Sequence, residues 1–170
     1  MHVEPCNGFD DRFNKLWVRI QQENRHVLIC NRNREFLEWH FGALLLRGEI
    51  WIVTLRSGAE LAGYSIYRRL DNAQYRLKRM QMVDFQVVPS SPALLTQMVV
   101  EVLRRCRLEG IHMLEVEDPR IVDNCFAGAV SKRKKEPWPF FYKANTKELA
   151  DKLKNSSVWC PSLYDGDYVL

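Results

Sequence analysis

The residues whose types and spacing best suit chemistry meet at one junction. Val87 and Val88 close an alternating apolar run, and Pro89-Ser90-Ser91-Pro92 leads at once into an amphipathic helix. A helix start offers N–H donors and the positive end of the helix dipole, and anions such as phosphates bind there. Two features weaken such a site. Pro89 and Pro92 each lack an N–H, and no glycine lets an anion approach the backbone closely. Ser90 and Ser91 suit the capping position and Pro92 the first turn, so these residues also have a plain role in starting the helix.

Other reactive side chains carry weaker signals. The five cysteines are odd in number and none has CxxC spacing, which argues against a disulfide scaffold or a zinc cluster. Reduced thiols in a cytoplasmic protein fit better. Cys106 falls on an apolar helical stripe and reads as core. His40 shares a helical face with Phe36, Leu37 and Phe41, and reads as a satisfied, partly buried histidine. His112 follows the glycine that ends the central helix and reads as a strand-edge residue. The run Lys132-Arg133-Lys134-Lys135 reads as a solvated loop. Tyr64, Tyr67, Arg68, Arg69, Tyr75, Arg76, Lys78 and Arg79 interleave aromatics with bases, as a surface for an anionic polymer would. Strand alternation sends half of them to the opposite face.

The elements that must position these groups follow from hydrophobic spacing. Phe9, Phe13, Leu16, Trp17 and Ile20 form a helical stripe, with Asp10 and Asp11 in the first turn. The first eight residues read as a lead-in to that helix. A second helix is expected over 33–41, stopped by Gly42. Strands at 50–56 and 60–70 flank Ser57-Gly58-Ala59 and read as a hairpin. A third strand, 76–88, places Val83, Phe85 and Val87 on one face and Met82, Asp84 and Gln86 on the other. A helix over 93–109 and a strand over 111–117 follow. Then come a helix opened by Asp118-Pro119, a strand at 140–144, a short helix at 146–153 and a last strand from 158. No internal repeat stands out.

Composition bounds the function. The 170 residues make one domain with a full core, 1–170. Hydrophobic residues at 46% and charged residues at 27% mark an ordinary soluble protein. The net charge of +4 is below that of a dedicated nucleic-acid binder. No apolar run reaches membrane-spanning length.

This order of elements gives a mixed α/β domain of the α+β type, with a mainly antiparallel sheet and helices on both faces. It resembles the GNAT fold of N-acyltransferases. A narrower likeness rests on Phe9-Asp10-Asp11-Arg12-Phe13-Asn14-Lys15-Leu16-Trp17, Asn33-Arg34-Glu35-Phe36-Leu37-Glu38-Trp39-His40-Phe41, Leu61-Ala62-Gly63-Tyr64, Val83-Asp84-Phe85 and Trp159 with Asp165-Gly166-Asp167. These segments look like the C-terminal half of tandem GNAT-like proteins linked to polysaccharide biosynthesis. The resemblance implies transfer of an acyl group from acetyl-CoA or another acyl-CoA to an amine of a sugar or related metabolite. It implies Asp84 as base, Tyr142 as the acid that protonates the departing thiolate, and Val87, Val88, Ser90 and Ser91 as the cofactor's binding residues. It also implies a small-molecule amine acceptor and a GNAT-like partner half or a second copy, while composition argues against a membrane and against nucleic acid as partners. The departure is the missing Gln/Arg-x-x-Gly-x-Gly/Ala turn, whose place Val88-Pro89-Ser90-Ser91-Pro92-Ala93 takes. That departure keeps two other readings open. One is a non-catalytic half that supports a catalytic one, and the other is a basic module for an anionic polymer.

Overall fold

The computed structural model describes residues 1–116 and 143–165. Five strands form one sheet in the order β1 (His2–Cys6), β2 (Ile50–Ser57), β3 (Glu60–Arg69), β4 (Arg79–Val87) and β5 (Met113–Glu115). The first four are antiparallel to their neighbours, and β5 runs parallel to β4. The expected mixed sheet with helices on both faces is the one observed. The first residues differ from expectation. They are an edge strand paired along β2 from His2 opposite Arg56 to Cys6 opposite Ile52, because their ladder groups find partners there that a lead-in would leave to water.

Helices α1 (Asp11–Glu23) and α2 (Arg34–Leu46) cover one face of the sheet. Asp10 caps α1 by accepting from the Arg12 N–H, and Asn33 caps α2 by accepting from the Phe36 N–H. Phe13, Leu16, Trp17 and Ile20 of α1 are buried as their spacing requires. Helix α2 does not stop at Gly42. Ala43 to Leu46 are strong helix formers, Leu44 reaches the core, and the chain turns at Gly48, whose φ is 70°. The buried face of α2 is Leu37, Phe41 and Leu44, while Phe36 and Trp39 are exposed.

Helix α3 (Pro92–Leu108) covers the other face through Leu95, Met98, Val99, Val102 and Cys106. Between strands β3 and β4 the backbones come so close at Gly63 that a Cβ there would lie 2.7 Å from the Gln86 carbonyl oxygen. After the described part of the chain resumes, α4 (Lys147–Leu153) is followed by 3-10 turns at Ser156–Val158 and Leu163–Asp165. The expected last strand is reduced, within 158–165, to a single bridge between Trp159 and Leu28. The expected helix after Asp118-Pro119 and all but Lys143 and Ala144 of the strand at 140–144 lie outside the described residues. Lys143 and Ala144 are not in a strand.

Candidate active site

Strand β4 carries the site because its pairing with β3 is irregular. Toward β3, Asp84 lies opposite Ile66 and Met82 opposite Tyr67, so Val83 is an extra residue, a bulge. Strict alternation groups Val83 with Phe85 and Asp84 with Met82, and the bulge overturns that grouping. Val83 packs with the α1/α2 core, where Asp84 meets Tyr64, while Met82 and Phe85 pack on the α3 side. Toward β5, only Arg79, Met80 and Gln81 are paired. Beyond Gln81 the edge of β4 has no strand partner among the described residues.

Asp84 is fully buried, and its carboxylate is taken up on both oxygens. Oδ1 accepts from Arg32 Nε at 3.1 Å and from Ser162 Oγ at 2.8 Å. Oδ2 accepts from Arg32 Nε at 3.1 Å and from the Tyr64 hydroxyl at 2.6 Å. Arg32, also fully buried, donates through Nη2 to Asp165 at 2.9 Å and to Ser162 Oγ at 3.0 Å, and through Nη1 to the Cys30 carbonyl at 2.8 Å. Its guanidinium lies 4.8 Å from the centre of the Tyr164 ring. Burial opposes the charge on Arg32, and the Asp84 and Asp165 carboxylates outweigh it, so the guanidinium stays firmly protonated. Burial pushes the Tyr64 phenol well up, with the Asp84 charge adding to the effect.

This cluster joins four parts of the chain: the loop between α1 and α2, strand β3, strand β4, and the segment ending in Leu163–Asp165. Sequence reasoning singled out Asp84 but missed Arg32 and Ser162. Arg32 stands in Asn31-Arg32-Asn33-Arg34, a polar stretch with no local mark of burial. His40 is not the satisfied histidine expected from its stripe. Its ring sits 4.7 Å from that of Tyr164 and 4.6 Å from that of Phe41, yet its Nε2 is shielded from water and has no hydrogen-bond partner. Burial lowers its pKa below the ordinary 6.5, against the pull of Asp84 and Asp165. His112 does stand at a strand edge, where its Nδ1 accepts from the Lys78 N–H.

At the junction, Val88 is buried and donates its N–H to Ala62, Val87 is partly buried, and Ser90 is exposed. Ser91 takes the capping position of α3, but its side chain makes no capping bond. Pro92 supplies no N–H, and the N–H groups of Leu94 and Leu95 turn back to the Ser91 carbonyl. Tyr142 lies outside the described residues. Among the described residues no group of acids, histidines and cysteines has the geometry of a metal site, and no helix is long and apolar enough to cross a membrane. Of the aromatic–basic array, Tyr64 and Tyr67 are buried, Arg69 is paired with Asp71, and Arg79 with Glu115.

Known folds resolve the architecture. An aminoglycoside acetyltransferase from an uncultured soil metagenomic sample superposes with a TM-score of 0.60 at 10% identity, over 85% of this chain and 96% of that one. The chain has the GNAT fold. Glucosamine-6-phosphate N-acetyltransferase from Arabidopsis thaliana matches with a TM-score of 0.58 at 12% identity, over 84% of this chain and 100% of its own. A predicted acetyltransferase from Clostridium acetobutylicum, solved with acetyl-CoA, matches with a TM-score of 0.58 at 11% identity, over 83% and 95%. No family model and no curated protein matches the sequence. Identities this low speak for the GNAT fold alone, so function rests on the site.

Proposed function

We propose that this chain is an acyl-CoA-dependent N-acyltransferase that acts on an amine of a sugar or related metabolite. The observation that carries this reading is the bulge at Val83 on β4, a strand that leads into the start of α3. A bulged residue leaves the β3 ladder, so the Val83 region can offer an N–H to a thioester carbonyl. The pyrophosphate would rest near Val87, Val88, Ser90 and Ser91, with fewer donors than a glycine turn supplies. A cofactor site of this kind fits acetyl-CoA, with which the Clostridium protein was solved. An amino sugar as acceptor is suggested by the two fold relatives named for an aminoglycoside and for glucosamine-6-phosphate.

The roles of Asp84 and Tyr142 are part of this proposal in different measure. Tyr142 remains the proposed acid for the thiolate. The bonding of Asp84 supports a positioning role in place of the base, because both oxygens are occupied and shielded from water. One observation favours a second reading, a non-catalytic half that supports a catalytic partner half or a second copy. The start of α3 has lost donors to Pro89 and Pro92 and turns others inward. The basic-module reading is weakened by the pairing of Arg69 and Arg79. Release of free thiol from millimolar acetyl-CoA, followed with glucosamine, an aminoglycoside and a simple diamine, tests the first reading. Amine-dependent release supports it, and none with any amine leaves the non-catalytic half as the function.

A further inference from the structure

We infer that the outer face of α2 is a docking surface for a second copy of this chain, with the two α2 helices lying antiparallel. The inference stands whether or not the chain transfers acyl groups. It starts from a stripe that the core does not use. Leu37, Phe41 and Leu44 are the buried residues of α2. On the opposite side of the helix Phe36, Trp39, Ala43 and Leu46 are all exposed, Leu46 at 91%. They recur at alternating steps of three and four residues, which makes a narrow apolar seam of the kind one helix offers another. The exposed apolar residues of α3 form no such seam, because Arg104, paired with Glu101, stands between Val100 and Leu108.

The seam fits its own copy. Turned end over end about a point level with Phe41, it sets Phe36 opposite the partner's Leu46 and Trp39 opposite the partner's Ala43. The largest side chain then faces the smallest, and each indole fills the space beside an alanine. A parallel arrangement would stack the two tryptophans on each other and leave the two alanines facing across a gap.

Charge favours the same arrangement. Glu35 and Glu38 flank the seam near its start, and Arg47 stands at its end. Antiparallel helices bring the acidic end of each beside the basic end of the other, whereas parallel helices would set like against like. Within one chain these groups make only exposed contacts: Glu35 with Asn14 at 3.2 Å, Glu38 with Arg34 at 3.6 Å, and Arg47 with Glu49 at 2.6 Å. Such contacts are weak and leave the side chains able to serve a partner as well. From Phe36 to Leu46 the seam runs about 15 Å. It covers less than the roughly 800 Å² per partner of a standard interface, so the pair is weak and reversible, with Trp39 as its aromatic anchor.

The test is sedimentation equilibrium of the full chain from about 2 to 500 micromolar, a range that brackets a weak pair. The parent should pass reversibly from a monomer of 20.1 kDa to a dimer of twice that mass. Trp39→Ala should weaken the pair at least about tenfold, with a far-UV circular dichroism spectrum like the parent's because Trp39 supports no core. Glu35→Lys and Arg47→Glu should each weaken it about two- to tenfold. An equimolar mixture of those two variants should pair as tightly as the parent, since opposite charges then meet again at both ends. A parent that stays monomeric throughout overturns the proposal and leaves the seam to a partner of another sequence. A dimer that Trp39→Ala leaves intact places the contact elsewhere and also overturns it. A mixture no tighter than either charge variant alone overturns the antiparallel pairing, and the proposal with it.

Discussion

Arg32 and Asp84 are worth more together than either is alone. A buried ion pair gains little over apolar packing, but removing one partner strands the other charge without water. Asp84→Asn is therefore expected to cost about 3–5 kcal/mol of stability, read from the urea midpoint at pH 7. Arg32→Met should cost a similar amount, and an unchanged midpoint in either variant would break the account of the cluster. His40 contributes through pH. Its folded pKa is depressed below 6.5 by burial, so below pH 6.5 the unfolded chain binds the proton more readily than the folded one. Its share of stability is whole above pH 6.5 and is lost as pH falls toward the lower folded value. His40→Gln should flatten the stability–pH curve in that window and leave it unchanged above pH 7, as followed by thermal melts at each pH.

At the scale of elements, burial separates residues that look alike in sequence. Trp17 on α1 is 8% exposed and Trp39 on α2 is 76% exposed. Trp17→Ala should cost about 3–5 kcal/mol because it empties a large site in the α1/α2 core. Trp39→Ala should stay within about 0.5 kcal/mol, and paired urea titrations of the two variants check both helix faces at once. The β3–β4 contact is equally local. Gly63→Ala drives a methyl group against the Gln86 carbonyl and the Val87 backbone, and should cost about 1–3 kcal/mol as the strands part. A neutral Gly63→Ala would mean that the strands can separate there at no cost.

For the whole molecule, the decisive quantity is how well β4 and the α3 start together hold CoA. The proline-bearing junction supplies few donors, so acetyl-CoA should bind more weakly than about 100 micromolar, or about 5.5 kcal/mol. At one millimolar ligand, stabilisation should then stay below about 1.4 kcal/mol, a small rise in melting temperature. Calorimetric titration of the purified chain measures the affinity directly. Saturable one-site binding near one micromolar would show that β4 compensates for the missing glycines.

The sequence by itself determined the order and type of most elements: the α1 stripe, the hairpin of β2 and β3, the long β4, and the strand–helix–strand unit around α3. These follow from periodicity and turn residues, which act over a few positions. It also exposed the loss of donors at the junction, since proline has no N–H wherever it folds. Only the tertiary structure decided that His2 to Cys6 belong to the sheet edge, because strand pairing is set by a distant partner. The bulge at Val83 was likewise invisible, since a bulge is a mismatch in count between two strands, and neither strand reveals it alone. The meeting of Arg32, Asp84 and Asp165 was hidden for the same reason. Their burial is a property of three segments far apart in the chain, and a charged residue in a polar loop carries no local sign that the fold will close over it.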